Sequence, residues 1–346
     1  EAGPTSLAKR FLADIALNIR GDPDRAEALF DDALRAARAL ENPWAIARTL
    51  LMAAWVPYWR GEIDRAREMF EEALEIARNN PDGDRWAEAR ALTSLASLAG
   101  SWERPQKALE IADRALALGR EMRDPFTIAV AQERRASSFR ALWRLDDALR
   151  SSEEAVRIYR DLGARWELAS ALGDRGVVHR LAGRLADAEE DLREALRLCR
   201  ELGDRVLVVW TTSELGLVRA LRGDLEEAAA LARDPGVDVP AGVPGDRSAM
   251  PLLRAQVALA RGEMDEARRH AREVLDAELG SGPPNNDALW TWWAARMFGE
   301  DFAGGAERVE AARRRLEDIS WERALREPDL IRDALVPVGE VGRASS

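Results

Sequence analysis

Residues 183–205 read Gly183-Arg-Leu-Ala-Asp-Ala188-Glu-Glu-Asp-Leu192-Arg-Glu-Ala195-Leu-Arg-Leu198-Cys199-Arg-Glu-Leu-Gly203-Asp-Arg205. Leu192, Ala195, Leu196 and Leu198 recur at the three-and-four spacing that lines one stripe of an α-helix. A glycine turn precedes the helix and a second glycine follows it, as expected for punctuation between helices. The preceding period ends in a near-copy, Ala155-Val-Arg-Ile-Tyr-Arg-Asp-Leu-Gly-Ala-Arg-Trp166.

Moving outward, the alanine at 188 recurs at Ala26, Ala66, Ala108, Ala148, Ala228 and Ala267, at intervals of 40, 42, 40, 40, 40 and 39 residues. Turns such as Gly61-Glu-Ile-Asp64, Gly223-Asp-Leu-Glu226 and Gly262-Glu-Met-Asp265 lead into it. Twelve residues before the alanine stands a small residue: Ala54, Ala96, Ala136, Gly176, Gly216 or Ala255. The first repeat departs from this, with Asp14. A column of large apolar residues holds Trp44, Trp86, Phe126 and Trp166, and a second alanine column holds Ala33, Ala73, Ala115, Ala155 and Ala195.

Each period therefore holds two helices of ~16 residues, each ~24 Å long at 1.5 Å per residue. Pro43, Pro81 and Pro125 stand where first helices begin, the position that tolerates proline. Small residues let the two helices cross closely, and the large aromatics are expected to fill the gap to the next pair. One pair cannot bury its own apolar face, so neighbours must stack. The expected fold is all-α, a solenoid of about seven helix pairs over residues 1–276, irregular at 234–247. Capping helices over 277–335 and a disordered tail over 336–346 complete the expectation. One cap helix carries Leu289, Trp292, Trp293 and Met297, and a charged helix follows over roughly 303–318.

With these columns in place the chain resembles the tetratricopeptide repeat family, through Leu215-Gly216, Ala26-x₃-Phe30, Ala66-x₃-Phe70 and Trp166. It departs in length, with a period near 40 where the family has 34. HEAT repeats have the longer period but lack this pair of small columns and this turn chemistry. The resemblance covers roughly residues 6–276 and implies a right-handed solenoid. The two phrases ending at Trp166 and Arg205 are similar to repeat arrays of large bacterial regulators, where such arrays follow a signalling ATPase, a DNA-binding module or a cyclase domain. None of those domains is in this sequence.

Composition narrows the function classes. The 346 residues carry a net charge of −11 and are 47% hydrophobic, so a folded chain is expected and direct nucleic-acid binding is not. No apolar run reaches the ~18 residues of a membrane span. Of 51 basic residues only Lys9 and Lys107 are lysines. Cys199 is the single cysteine, read as a small buried thiol, and a cytoplasmic location is expected. His179 and His270 are expected on partly exposed helix faces, apart from each other. Glycine-rich phosphate loops, nucleophile elbows and zinc patterns are absent from the sequence, so no enzyme activity, cofactor or metal is expected. The start at Glu1 without methionine reads as a piece of something longer.

The resemblance places first helices on the inner, concave side. Inward positions then include Arg48, Trp55, Tyr58 and Trp59 in repeat two, and Arg90 in repeat three. Glu133 and Arg140 follow in repeat four, then Gly173 and Arg180 in repeat five, with Trp210 beginning repeat six. Aromatics offer apolar anchors and arginines suit carboxylates or phosphates. Trp55 and Trp59 can equally pack against the N-terminal repeat as core. The carboxylate clamp of chaperone-binding members needs an asparagine where this chain has Trp55, Ser97, Ser137 and Val177, so it is not supported. Three readings stand. One is a non-catalytic interaction or sensor module of a bacterial regulator, binding a peptide, a partner domain or domains of its own longer chain. Another is a receptor for a small anionic or aromatic ligand. The third is a scaffold or dimerisation module, with Trp290, Trp292 and Trp293 as an exposed seam.

Overall fold

The computed structural model describes residues 2–19, 22–80, 83–102, 105–234, 249–278, 286–318 and 322–335, which are helical apart from the connecting turns. Two compact units divide the chain, one running to Ser138 and the other starting at Phe139.

The first unit holds α1 (Ala2–Asp14), α2 (Pro23–Ala39), α3 (Pro43–Ala53), α4 (Trp55–Trp59), α5 (Ile63–Asn79), α6 (Arg85–Trp102), α7 (Pro105–Met122) and most of α8 (Pro125–Ala141). Helices pack as the pairs α1–α2, α3–α5 and α6–α7, and α2 on α3 and α5 on α6 join the pairs. Asp14, the residue that breaks the small column, ends α1 and is followed by a π-helical turn, Ile15–Ile19. Repeat two has a split first helix, α3 and α4, because Pro57 has no N–H to give the carbonyl of Ala53 and its ring crowds that position.

The second unit continues with α9 (Leu145–Leu162), α10 (Arg165–Leu181), α11 (Leu185–Leu202), α12 (Arg205–Leu221), α13 (Leu225–Ala232), α14 (Ala249–Ala260) and α15 (Met264–Glu278). Three more helices follow: α16 (Asn286–Phe298), α17 (Ala306–Asp318) and α18 (Glu322–Leu335). The pairs are α10–α11, α12–α13, α14–α15 and α16–α17, and the first helices α10, α12 and α14 form a continuous row. The expected elbow near 235–245, the linker at 280–285, Pro81 and the tail 336–346 lie outside the described residues.

The repeating columns are the core. All seven marker alanines, from Ala26 to Ala267, are fully buried, as are Ala33, Ala73, Ala115, Ala155 and Ala195. Gly176 faces the second helix of its own pair so closely that a Cβ there would lie 2.7 Å from Leu192 Cγ. The aromatic column behaves differently from its expected gap-filling role. Trp44, Trp86 and Trp166 are 47%, 40% and 50% exposed, while Phe30, Phe70 and Tyr159 are fully buried. The tryptophans stand in the first turn of their helices, beyond the crossing point, so their rings lie over the rim of the core.

Turn geometry shows why the period carries glycine. Glu41, Gly83, Arg123, Gly163 and Gly203, equivalent residues before successive first helices, all have positive φ between 48° and 72°. Only glycine takes that conformation freely. The next position supplies the helix cap: Asn42 accepts from Ala45 N at 3.0 Å, Asp84 from Ala87 N at 3.0 Å and Asp204 from Leu207 N at 2.9 Å.

Candidate functional site

In the first unit Arg48 lies between two tryptophans, its guanidinium carbon 3.4 Å from the Trp44 ring centre and 4.3 Å from that of Trp86. Each tryptophan opens a first helix, so the stack ties neighbouring repeats by cation–π attraction. Asp84 Oδ2 approaches Arg48 Nε at 3.5 Å, an ion pair without a short hydrogen bond. Trp55 stands edge-on to Tyr58 at 5.2 Å and to Phe70 at 5.4 Å, and packs on the cluster of Ala13, Leu17, Phe30 and Val56. Its indole thus supports the N-terminal core. The Trp59 side chain lies outside the described residues. Arg90 is half-buried on α6, where its carbonyl accepts from Thr93 Oγ1 at 2.9 Å. Glu133 pairs with Arg134, whose other nitrogen donates to Ser97 Oγ at 3.0 Å.

In the second unit the inner arginines are paired with the next first helix. Arg140 donates to Asp174 at 3.2 Å, and Arg180 Nε to Glu214 Oε2 at 3.1 Å. Gly173 leaves room for Trp210, whose ring lies where a Cβ would be only 2.4 Å away. Arg180 departs most from expectation. It is not open to solvent; its side chain is 3% exposed and also donates to Glu327 Oε1 of α18 at 2.6 Å. Burial alone would push its pKa down, but the charges of Glu214 and Glu327 outweigh this and hold it above the ordinary arginine value.

The helix carrying Glu327 lies beyond the repeating columns, in the stretch 277–335 where capping helices are expected. It packs on α12 and α14, first helices, and on α16 and α17. On its far side Asp329 receives a two-pronged pair from Arg296 of α16, both contacts 2.6 Å. Ile331 and Leu335 are buried, whereas Leu330 is 51% exposed. A chain segment is therefore seated on the first-helix face of this unit.

The remaining chemistry-bearing side chains are structural. His179, expected on a partly exposed face, is buried, and desolvation lowers its pKa against the opposing pull of Asp191 and Asp187. Arg175 makes a two-pronged pair with Asp191 at 2.7 and 2.6 Å. Burial pushes the Cys199 thiol up to about 11, the setting of an inert side chain. Trp293 is buried against Trp290 and Phe298, both 6.0 Å away between ring centres, so it is core and not part of an exposed seam. Among the described residues no group of three or more His, Cys, Asp or Glu is placed to hold a metal, and no helix is long and apolar enough to cross a membrane.

The tetratricopeptide repeat family profile matches residues 45–121, 127–201 and 167–234. Together these ranges exceed half of the chain, and the chain belongs to this family. No curated protein sequence matches it. Solved structures share the fold at low identity. A Rap protein complexed with competence and sporulation factor is similar at 15% identity and TM-score 0.57, covering 95% of this chain and 99% of that one. A STAND protein with a tetratricopeptide repeat sensor from Pyrococcus horikoshii is similar at 16% and 0.58, covering 95% of this chain and 50% of its own. Aspartyl phosphate phosphatase F from Bacillus subtilis is similar at 14% and 0.60, covering 80% and 71%.

Proposed function

We propose that the chain is a non-catalytic interaction and sensor module of a bacterial, cytoplasmic regulatory protein, binding a peptide or partner domain on its first-helix face. The observation that carries this reading is α18. A polypeptide helix already packs on α12 and α14 of the first-helix row and is engaged by Arg180 of α10. Such a surface has the ion-pairing groups that recognise a protein segment. The similar folds of a Rap protein complexed with competence and sporulation factor and of a STAND protein with a tetratricopeptide repeat sensor support this reading. Arg48, Tyr58, Trp59, Arg90 and Glu133 in the first unit, and Arg140 in the second, are the remaining candidates for contact. Trp55 contributes by bracing Tyr58.

The test is selection of peptides from a displayed random library against the full chain. Affinities of enriched peptides are then measured for Arg90→Ala, Glu133→Ala and Arg140→Ala. Loss of about tenfold or more, equivalent to ~1.4 kcal/mol, in at least one variant is expected. Enriched peptides indifferent to every first-helix substitution would overturn the reading.

A further inference from the structure

We infer that α18 is a displaceable occupant of the second unit, and that the natural partner of this face is an acidic helical segment of another protein that takes its place. This rests on the reading of the first-helix face as a polypeptide-binding surface, and it adds the partner's chemistry and its regulation.

Three observations carry it. The first is how Arg180 is paired. Glu214, from the adjacent first helix, already supplies one carboxylate at 3.1 Å, and Glu327 of α18 supplies a second at 2.6 Å. Removing α18 leaves a neutral pair and not an orphan charge, so release avoids the penalty of an uncompensated buried ion. The second is the weakness of α18 itself. It has 14 residues, in the range of about 12–15 where an isolated helix is marginal in water. Pro328 at its centre lacks the N–H that a helix interior needs. The helix is therefore held by what it docks against.

The third is the character of the docking. Glu327 and Asp329 lie about 200° apart around the helix, at 100° per residue. One reaches Arg180 on α10 and the other Arg296 on α16. Ile331 and Leu335 follow Glu327 at helical spacing and are buried. A competing segment needs the same features: two carboxylates two residues apart, then apolar residues four and eight beyond the first. Arg180 of α10 would receive it on one side and Arg296 of α16 on the other. While α18 is seated, an incoming segment binds only the fraction of molecules in which the face is open, so its apparent affinity falls by that fraction.

The experiment uses the full chain. Glu327→Gln combined with Asp329→Asn weakens both ion pairs while keeping side-chain volume. Amide hydrogen exchange over 322–335 is expected to rise at least tenfold, with the melting temperature of the repeats unchanged. A fluorescent synthetic peptide of residues 322–335 is then titrated in trans. The doubly substituted protein should capture it at least tenfold more tightly than wild type, and the same peptide carrying Glu327→Gln should bind at least tenfold more weakly. Arg180→Gln in the doubly substituted protein should abolish capture. Because Arg180 is buried, Arg296→Gln, at a half-exposed position, gives an independent variant expected to weaken capture. Exchange unchanged by the double substitution would make α18 a fixed part of the fold and overturn the inference, leaving the face's other candidates untouched. Exchange that rises without capture of the peptide would overturn it together with the reading of this face.

Discussion

Arg180 donates to Glu214 at 3.1 Å across two first helices, and the two residues are 34 apart in sequence. Arg140 and Asp174 repeat this relationship one period earlier, at 3.2 Å and the same separation. Second helices use the same step, from Arg38 to Glu72 and from Arg160 to Glu194. A side chain near the end of one helix reaches one nearer the start of its equivalent in the next repeat, so the contact falls short of the full period. Arginine suits this role because its planar fork can serve more than one carboxylate. The exposed members of the ladder add little stability individually. Arg180, buried and shared between two acids, is the member of the ladder that also ties α18 to the row.

Replacing Gly176 by leucine is expected to cost ~1–3 kcal/mol through overpacking. Leu192 Cγ already stands 2.7 Å from where a Cβ would be, and the carbonyl oxygen of Ala188 3.3 Å. Urea unfolding of the variant checks this; an unchanged midpoint would mean that the α10–α11 crossing is looser than described.

Arg123 occupies a left-handed turn position, at φ 54°, where the fourth and fifth members of the same column are Gly163 and Gly203. A side chain in that region costs ~1–2 kcal/mol, and glycine returns part of the relief through unfolded-chain entropy. Arg123→Gly should therefore raise stability by ~0.5–1 kcal/mol, read as a higher melting temperature. Gly163→Ala should lower it.

Asp191 and Arg175 form a mostly buried two-pronged pair, with side chains 8% and 18% exposed. Asp191→Ala alone should destabilise by ~3–5 kcal/mol, because it strands a buried charge. Replacing both residues, Arg175→Met with Asp191→Leu, should recover most of the loss. A double variant as unstable as the single one would show that the pair itself, and not the stranded arginine, is what matters.

His179 gives a pH dependence of known sign. Its folded pKa lies below the ordinary value near 6.5 because burial disfavours the charged ring, against the pull of Asp191 and Asp187. The folded state thus binds protons less readily than the unfolded one, and stability falls as pH drops below about 6.5. Melting curves at pH 7.5 and 5.5 should differ less for His179→Gln than for wild type. Equal differences would assign the pH effect to other groups.

Local chemistry explains which features were legible in the sequence. Alanine and glycine columns are fixed by how closely two helices must cross, and the marker alanines from Ala26 to Ala267 are all fully buried. Asp204 caps its own helix, a local signal that the column pattern does not use. The aromatic column is harder: Trp44 and Trp166 repeat at the right period, yet periodicity cannot tell a core filler from a rim residue that stacks on Arg48 or donates to Asp204. Arg180 was placed on the inner row, but its burial depends on Glu327, 147 residues away. No local pattern carries a contact of that range.

We propose that the row of first helices in the second unit takes a polypeptide. Hydrogen exchange of the full chain, with and without a peptide selected for binding, tests it most directly. Added protection along α10, α12 and α14, accompanied by faster exchange in α18, is the predicted result. Protection confined to the second helices α11, α13 and α15, with α18 unchanged, would contradict it.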